Sequence, residues 1–134
     1  MFQQRMNVAS ASEYEDTVGY SRAVRIGDHI AVAGTTGAGT TVADQARDAL
    51  RRIEAALQQA GAAMSDVVRT RIFVTDITQW PAVGAVHAEV FGHIRPAATM
   101  VEVSALIAPG LMVEIEVDAY VTGSGANQPS SSGR

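Results

Sequence analysis

Between residues 113 and 121 apolar and polar side chains alternate without a break. Val113, Ile115, Val117, Ala119 and Val121 fall on one side, and Glu114, Glu116, Asp118 and Tyr120 on the other. A period of two is the mark of a strand buried on one face only, since a helix would scatter the same residues around its circumference. The run Leu111 to Val121 therefore demands a sheet with one apolar face, which other elements must cover, and one face bearing a row of carboxylates.

The cover is legible upstream. Val42, Ala46, Ala49, Leu50, Ile53, Ala56, Leu57 and Ala60 recur at steps of three and four, with Asp44, Arg47, Asp48, Arg51 and Glu54 on other faces. That spacing predicts an amphipathic helix, capped by Thr40 or Thr41 and stopped by Gly61. A second helix is expected to open at Thr78, carry Pro81 in its first turn, run through Val83, Val86, His87, Val90 and Phe91, and end at Gly92. Arg22–Ile26 and His29–Ala33 read as two strands joined by Gly27-Asp28, where glycine in the first turn position suits type II′. The β-rich run Val67–Val74, a strand from Thr99 to Val103, and a turn at Pro109-Gly110 complete the order ββαβαββ. This is an α+β domain with two helices on one face of a mixed sheet. Arg69 and Arg71 share a face of their strand, and Phe73 and Met100 are read on the faces of Arg71 and Glu102. Charges and apolar groups on an otherwise uncovered face predict a subunit interface.

The chain has 134 residues, 47% hydrophobic and 18% charged, enough for one core. The expected domain is 1–122, followed by a tail, 123–134, too rich in Gly and Ser to bury apolar surface and expected to be disordered. There is no cysteine and no lysine. Thiolate chemistry, cysteine-based zinc sites, Schiff bases and a P-loop lysine are thereby excluded. No metal or cofactor is expected. The net charge of −4 disfavours nucleic acid. The absence of a long apolar run and of a secretory leader predicts a cytoplasmic protein that does not enter the membrane. Gly34-x-x-Gly37-x-Gly39 lies between a strand and a helix but lacks dinucleotide spacing, and reads as a flexible loop.

Gly19-Tyr20-Ser21, Val32-Ala33-Gly34, Gln45 to Leu50, Ala60-Gly61, Val74-Thr75-Asp76, Pro96-Ala97, Val101-Glu102-Val103 and Val113 to Glu116 occur in one order along the chain. In these segments the sequence resembles the RidA/YjgF family, from Tyr20 to Val121. The resemblance implies a chorismate-mutase-like two-layer fold, assembly as a homotrimer, and small-molecule clefts between neighbouring subunits. It also implies an arginine after the Pro-Ala pair to grip a substrate carboxylate. Here that position is Ala98, which has no donor for the bidentate contact. The helix-2 asparagine common in the family aligns with Gly84, and the serine before the strand-2 glycine with Ala33.

Other groups of the family cleft are present. Glu114 matches the glutamate that handles the catalytic proton or positions water, Tyr20 the tyrosine lining the cleft, and Thr99 and Met100 the segment whose backbone meets the ligand. Each has a plainer alternative: Glu114 pairing with Arg69 or Arg71, Tyr20 packing at a strand start, Met100 as an apolar wall. Arg95, three residues before Ala98, is either a substitute anchor or a solvated loop arginine. His87 is a packed helix histidine or, less simply, a general base. The expected function is binding of a small metabolite in an intersubunit cleft, with hydrolytic turnover through Glu114 and water but without standard enamine/imine deaminase activity. The alternatives are a deaminase that uses Arg95, and a ribonuclease-like translation inhibitor.

Overall fold

The structure is a computed structural model that describes residues 4–122; the tail at 123–134 lies outside the described residues. Its regular elements are β1 (Arg5–Val8), β2 (Ala23–Ile26), β3 (His29–Thr35), α1 (Val42–Gln59), β4 (Val67–Val74), α2 (Trp80–Phe91), β5 (Ala97–Glu102) and β6 (Val113–Tyr120). The strands form one sheet in the order β1-β2-β3-β6-β4-β5. Every neighbouring pair is antiparallel except β4–β5, which α2 connects in parallel. The alternating strand β6 is therefore central. Its apolar side, Val113, Ile115, Val117 and Ala119, is buried with Ile30, Val32, Ile72 and Val74 beneath the helices.

Helix α1 forms where the periodicity places it. Thr41 is its N-cap, with Oγ1 accepting from the Asp44 N–H at 3.1 Å. Ala46, Ala49, Leu50, Ile53, Ala56 and Leu57 are buried against the sheet. Full burial of each large aliphatic side chain there is worth about 1.5–3 kcal/mol. Gly61, at φ 85°, takes the left-handed conformation that ends the helix. At the β2–β3 turn Gly27 has φ 60° and Asp28 does not share a positive φ, as type II′ requires.

The order ββαβαββ omits β1, a correction. Of Arg5, Met6, Asn7 and Val8 only Val8 is buried, and the polar-apolar alternation lasts for four residues only, too short to mark a strand. Backbone pairing of Arg5–Val8 with Ile26–Ala23 holds it at the sheet edge. A single 3-10 turn, Ile77–Gln79, precedes α2, with Asp76 Oδ1 accepting from Thr78 N at 3.0 Å; the helix itself starts at Trp80 rather than Thr78.

The placement of Met100 and Glu102 beside Arg71 and Phe73 is also corrected. Strand β5 begins at Ala97, and its parallel register sets Thr99 beside Arg71, Met100 beside Ile72, Val101 beside Phe73 and Glu102 beside Val74. Met100 therefore packs on the core side. Thr99 and Val101 are the β5 residues that share the open face with Arg71 and Phe73. Ala98 pairs with the buried Thr70, so it too points to the helix side.

The glycine loop after β3 is packed, not loose. A Cβ at Gly37 would lie 2.6 Å from the Ala49 backbone nitrogen, so only glycine allows the loop to touch α1. Asp48 accepts from Ala38 N at 2.8 Å. Gln45, 3% exposed, donates to Gly39 O and Gly110 O and accepts from Met112 N. One buried amide thus ties two loops to the helix with every contact satisfied.

Candidate functional site

The last turn of β3 brings the groove together. Strand β3 carries a register break between Val32 and Thr35 where it meets β6, and Gly34 lies at that break. A side chain there would overlap the Glu114 carboxylate. Gly34 leaves the room that Glu114 uses. A cleft of about 790 Å³ opens at this point, walled by Tyr20, Arg22, Gly34 and Glu114, by α1 residues including Arg52, and by the segment that follows β1. That segment is held by Glu15, 9% exposed, whose carboxylate accepts from the Ser10 N–H at 2.9 Å and from the Ser10 hydroxyl. A π-helical turn, Glu15–Gly19, then delivers Tyr20 to the groove, with Gly19 at φ 90°.

Glu114 stands at the head of the open-face carboxylate row. Its pKa is raised above the ordinary glutamate value, chiefly by burial, then by the Glu116 charge, against a smaller opposing pull from Arg22. The arginines of β4 are engaged further down the row: Arg71 Nη1 lies 3.1 Å from Glu116 and 3.3 Å from Asp118, and Arg69 lies 4.0 Å from Asp118. Within the chain, neither arginine pairs with Glu114 among the described residues.

Tyr20 and Glu114 therefore meet in one groove, and the remaining candidates lie elsewhere. Thr99 is on the open face two strands from β6, and Met100 is beneath it. His87 is in the helix layer, with Nε2 2.9 Å from the buried Thr70 Oγ1 and its ring 4.8 Å from that of Phe91. Burial lowers its pKa and favours the neutral ring. Arg95 is exposed at the end of α2, with Nε donating to Gly92 O at 3.2 Å and with φ 56°. Ala98 and Glu114 point to opposite sides of the sheet, so a ligand touching both would need a second subunit.

The sequence reading missed Arg22. It precedes a buried alanine at the entry to β2 and has no periodic signature. Only the fold shows that its Nη1 donates to Gly34 O at 3.1 Å and to Thr35 Oγ1 at 2.7 Å. The segment around Ser10 and Glu15 was missed for the same reason, being polar and irregular. Among the described residues no three His, Asp or Glu side chains gather closely enough to hold a metal ion, and no helix is long and apolar enough to cross a membrane.

The family model described as Endoribonuclease L-PSP matches residues 11–121. A RutC family protein of Pyrococcus abyssi is 33% identical over 109 residues, covering 75% of this chain and 85% of the relative. A 2-iminobutanoate/2-iminopropanoate deaminase of Dermatophagoides farinae is 32% identical over 105 residues, covering 72% and 81%. Among solved structures, Rv2704 of Mycobacterium tuberculosis, described as a member of the highly conserved YjgF/YER057c/UK114 family, superposes with a TM-score of 0.87 at 68% identity, covering 88% of this chain and all of that one. The segments around Tyr20, Gly34 and Glu114 that build the groove are among those that carried the resemblance, and the chain belongs to the RidA/YjgF family.

Proposed function

We propose that this chain binds a small metabolite in the groove of Tyr20, Gly34 and Glu114, completed by a neighbouring subunit of a homotrimer in the cytoplasm, and that it lacks standard enamine/imine deaminase activity. The observation that carries this reading is Glu114 itself. It is a half-buried carboxyl with a raised pKa, seated in a groove against a glycine that leaves it room. A carboxyl so placed is suited to accept and return a proton. In hydrolytic turnover of a bound metabolite it would take a proton from water as the oxygen attacks an electrophilic carbon and return that proton to the leaving group.

The open face supports the trimer, since Arg69, Arg71, Phe73, Thr99 and Val101 lie on it with no helix above. Ala98 supports the loss of standard turnover, because no donor stands where the family holds the substrate carboxylate. Hydrolysis of freshly generated 2-iminopropanoate by the wild-type protein tests the reading, and acceleration less than about tenfold over buffer is expected. Robust turnover abolished by Arg95→Ala would establish the deaminase with a displaced arginine instead. Specific cleavage of RNA would establish the ribonuclease reading, against which the net charge of −4 speaks.

A further inference from the structure

Arg22 differs from the other arginines of the fold. Arg25, Arg47, Arg51, Arg52, Arg69 and Arg71 each have a carboxylate within 4.0 Å, and Arg5 and Arg95 are exposed. Among the described residues Arg22 alone is half-buried without an ion pair. Its position is fixed, because both Nη1 hydrogens are accounted for by Gly34 O and by Thr35 Oγ1, and Thr35 is 2% exposed. The guanidinium also lies 5.7 Å from the centroid of the Tyr20 ring, close enough for a cation–π contact.

A guanidinium has five N–H donors. With Nη1 spent on the protein, the Nε–Nη2 edge has no partner among the described residues, and Arg22 lines the groove. Such an edge is a fork with the spacing of a carboxylate, and a positive charge partly removed from water favours an anion over water as its partner. Around it stand apolar walls, among them Val18, Ala55 and Ile107.

We propose that Arg22 is the anion anchor of this groove, holding the carboxylate of a compact, short-chain carboxylic acid through its Nε–Nη2 edge, with the ligand's remaining carbons directed toward Glu114. The inference rests on the reading that the groove is the metabolite site, and it supplies an anchor that Ala98 does not. Gly34 is the shared wall: Arg22 holds its carbonyl oxygen and the Glu114 carboxylate lies against its α-carbon. The carboxylate is thereby held on the same subunit as the acid, whereas the arginine missing at Ala98 would have acted from the opposite side of the sheet.

The test is calorimetric titration of the full chain with pyruvate, and with methyl pyruvate as the uncharged control. Arg22→Met is expected to weaken pyruvate at least about tenfold and to leave methyl pyruvate within about twofold. Arg22→Gln keeps a polar side chain, though one too short to replace Nη1, and so serves should the methionine variant not fold; the same loss is expected of it. Arg22→Lys should fall between. Wild-type affinity in Arg22→Gln, equal losses for both ligands, or no saturable binding of pyruvate to the wild-type protein at millimolar concentration would each overturn the anchor. Gly34→Ala separates this failure from that of the groove reading. Pyruvate binding lost in Gly34→Ala but kept in Arg22→Gln removes only the anchor. Binding kept in both places the ligand outside the groove and removes the parent reading as well.

Discussion

Gly34 and Glu114 fit one another as hole and occupant: the carboxylate lies in the volume that a β-carbon on residue 34 would fill. The φ of Gly34 is not in the left-handed region, so space rather than backbone conformation requires glycine. Gly34→Ala should therefore cost less than about 1 kcal/mol of stability, because the end of a glutamate can swing aside more easily than a packed core can yield. It should still displace the acid from the groove. Thermal unfolding within a few degrees of wild type, with ligand affinity reduced at least about tenfold, is the expected pair of results. A wild-type affinity would show that the position of Glu114 does not matter to the ligand.

The raised pKa of Glu114 has a sign that stability measurements can read. The folded protein holds the Glu114 proton more tightly than the unfolded chain. Its contribution is thus fully present below the unfolded glutamate value of about 4.3 and is lost as pH rises through the folded value. Glu114→Gln should be at least as stable as wild type at neutral pH, and the difference between them should shrink in acid. Denaturant titrations at several pH values decide it. A large loss of trimer stability in Glu114→Gln, with affinity per folded trimer preserved, would assign Glu114 to the subunit interface.

His87 titrates in the opposite sense. Burial lowers its folded pKa, so the stability linked to its neutral form is present above the unfolded value near 6.5 and is lost as pH falls through the folded value. His87→Gln should be less sensitive to acid in this range than wild type. NMR titration of the His87 ring gives the same information directly, and an unshifted midpoint would contradict the packed position against Thr70.

Arg71 joins Glu116 and Asp118 on the open face. In an isolated subunit such partly exposed pairs are worth about 0.2–1 kcal/mol. Arg71→Met should then change subunit stability little, but it leaves the acidic row uncompensated where subunits are proposed to meet. Sedimentation equilibrium should show the wild type as a trimer at micromolar concentration and the variant shifted toward monomer. A monomeric wild type would remove the intersubunit cleft.

Arg95 has φ 56°, a conformation that costs a residue with a side chain about 1–2 kcal/mol. Glycine relieves that strain but loses more chain entropy on folding. Arg95→Gly should gain up to about 1 kcal/mol and leave groove binding unchanged. Lost binding in that variant would return Arg95 to the site.

The elements with strong periodicity were legible because burial writes a period into the sequence. That covers α1, the alternating β6 and the β2–β3 hairpin. Strand β1 was not, since an alternation of four residues with only Val8 buried is too short to stand out, and pairing is made by backbone groups common to every residue. The side on which Met100 falls was misread because it depends on the register of a parallel pair, which no local pattern encodes. Tyr20 and Glu114 were legible through the family resemblance. Arg22 was not, because its significance lies in contacts with residues 34 and 35, which the neighbouring sequence does not reveal.

The position of β6 between β3 and β4 has a consequence for the chain as it is made. In a chain that stops short of residue 113, β1-β2-β3 and β4-β5 have no strand to bridge them, because β6 is the only neighbour the two groups share. Each group then presents an unpaired margin of N–H and C=O groups, open to pairing with another nascent chain. Completion of the sheet waits on the final strand to leave the ribosome. A message truncated a few codons before residue 113 should yield not a slightly weakened protein but two half-sheets prone to aggregate.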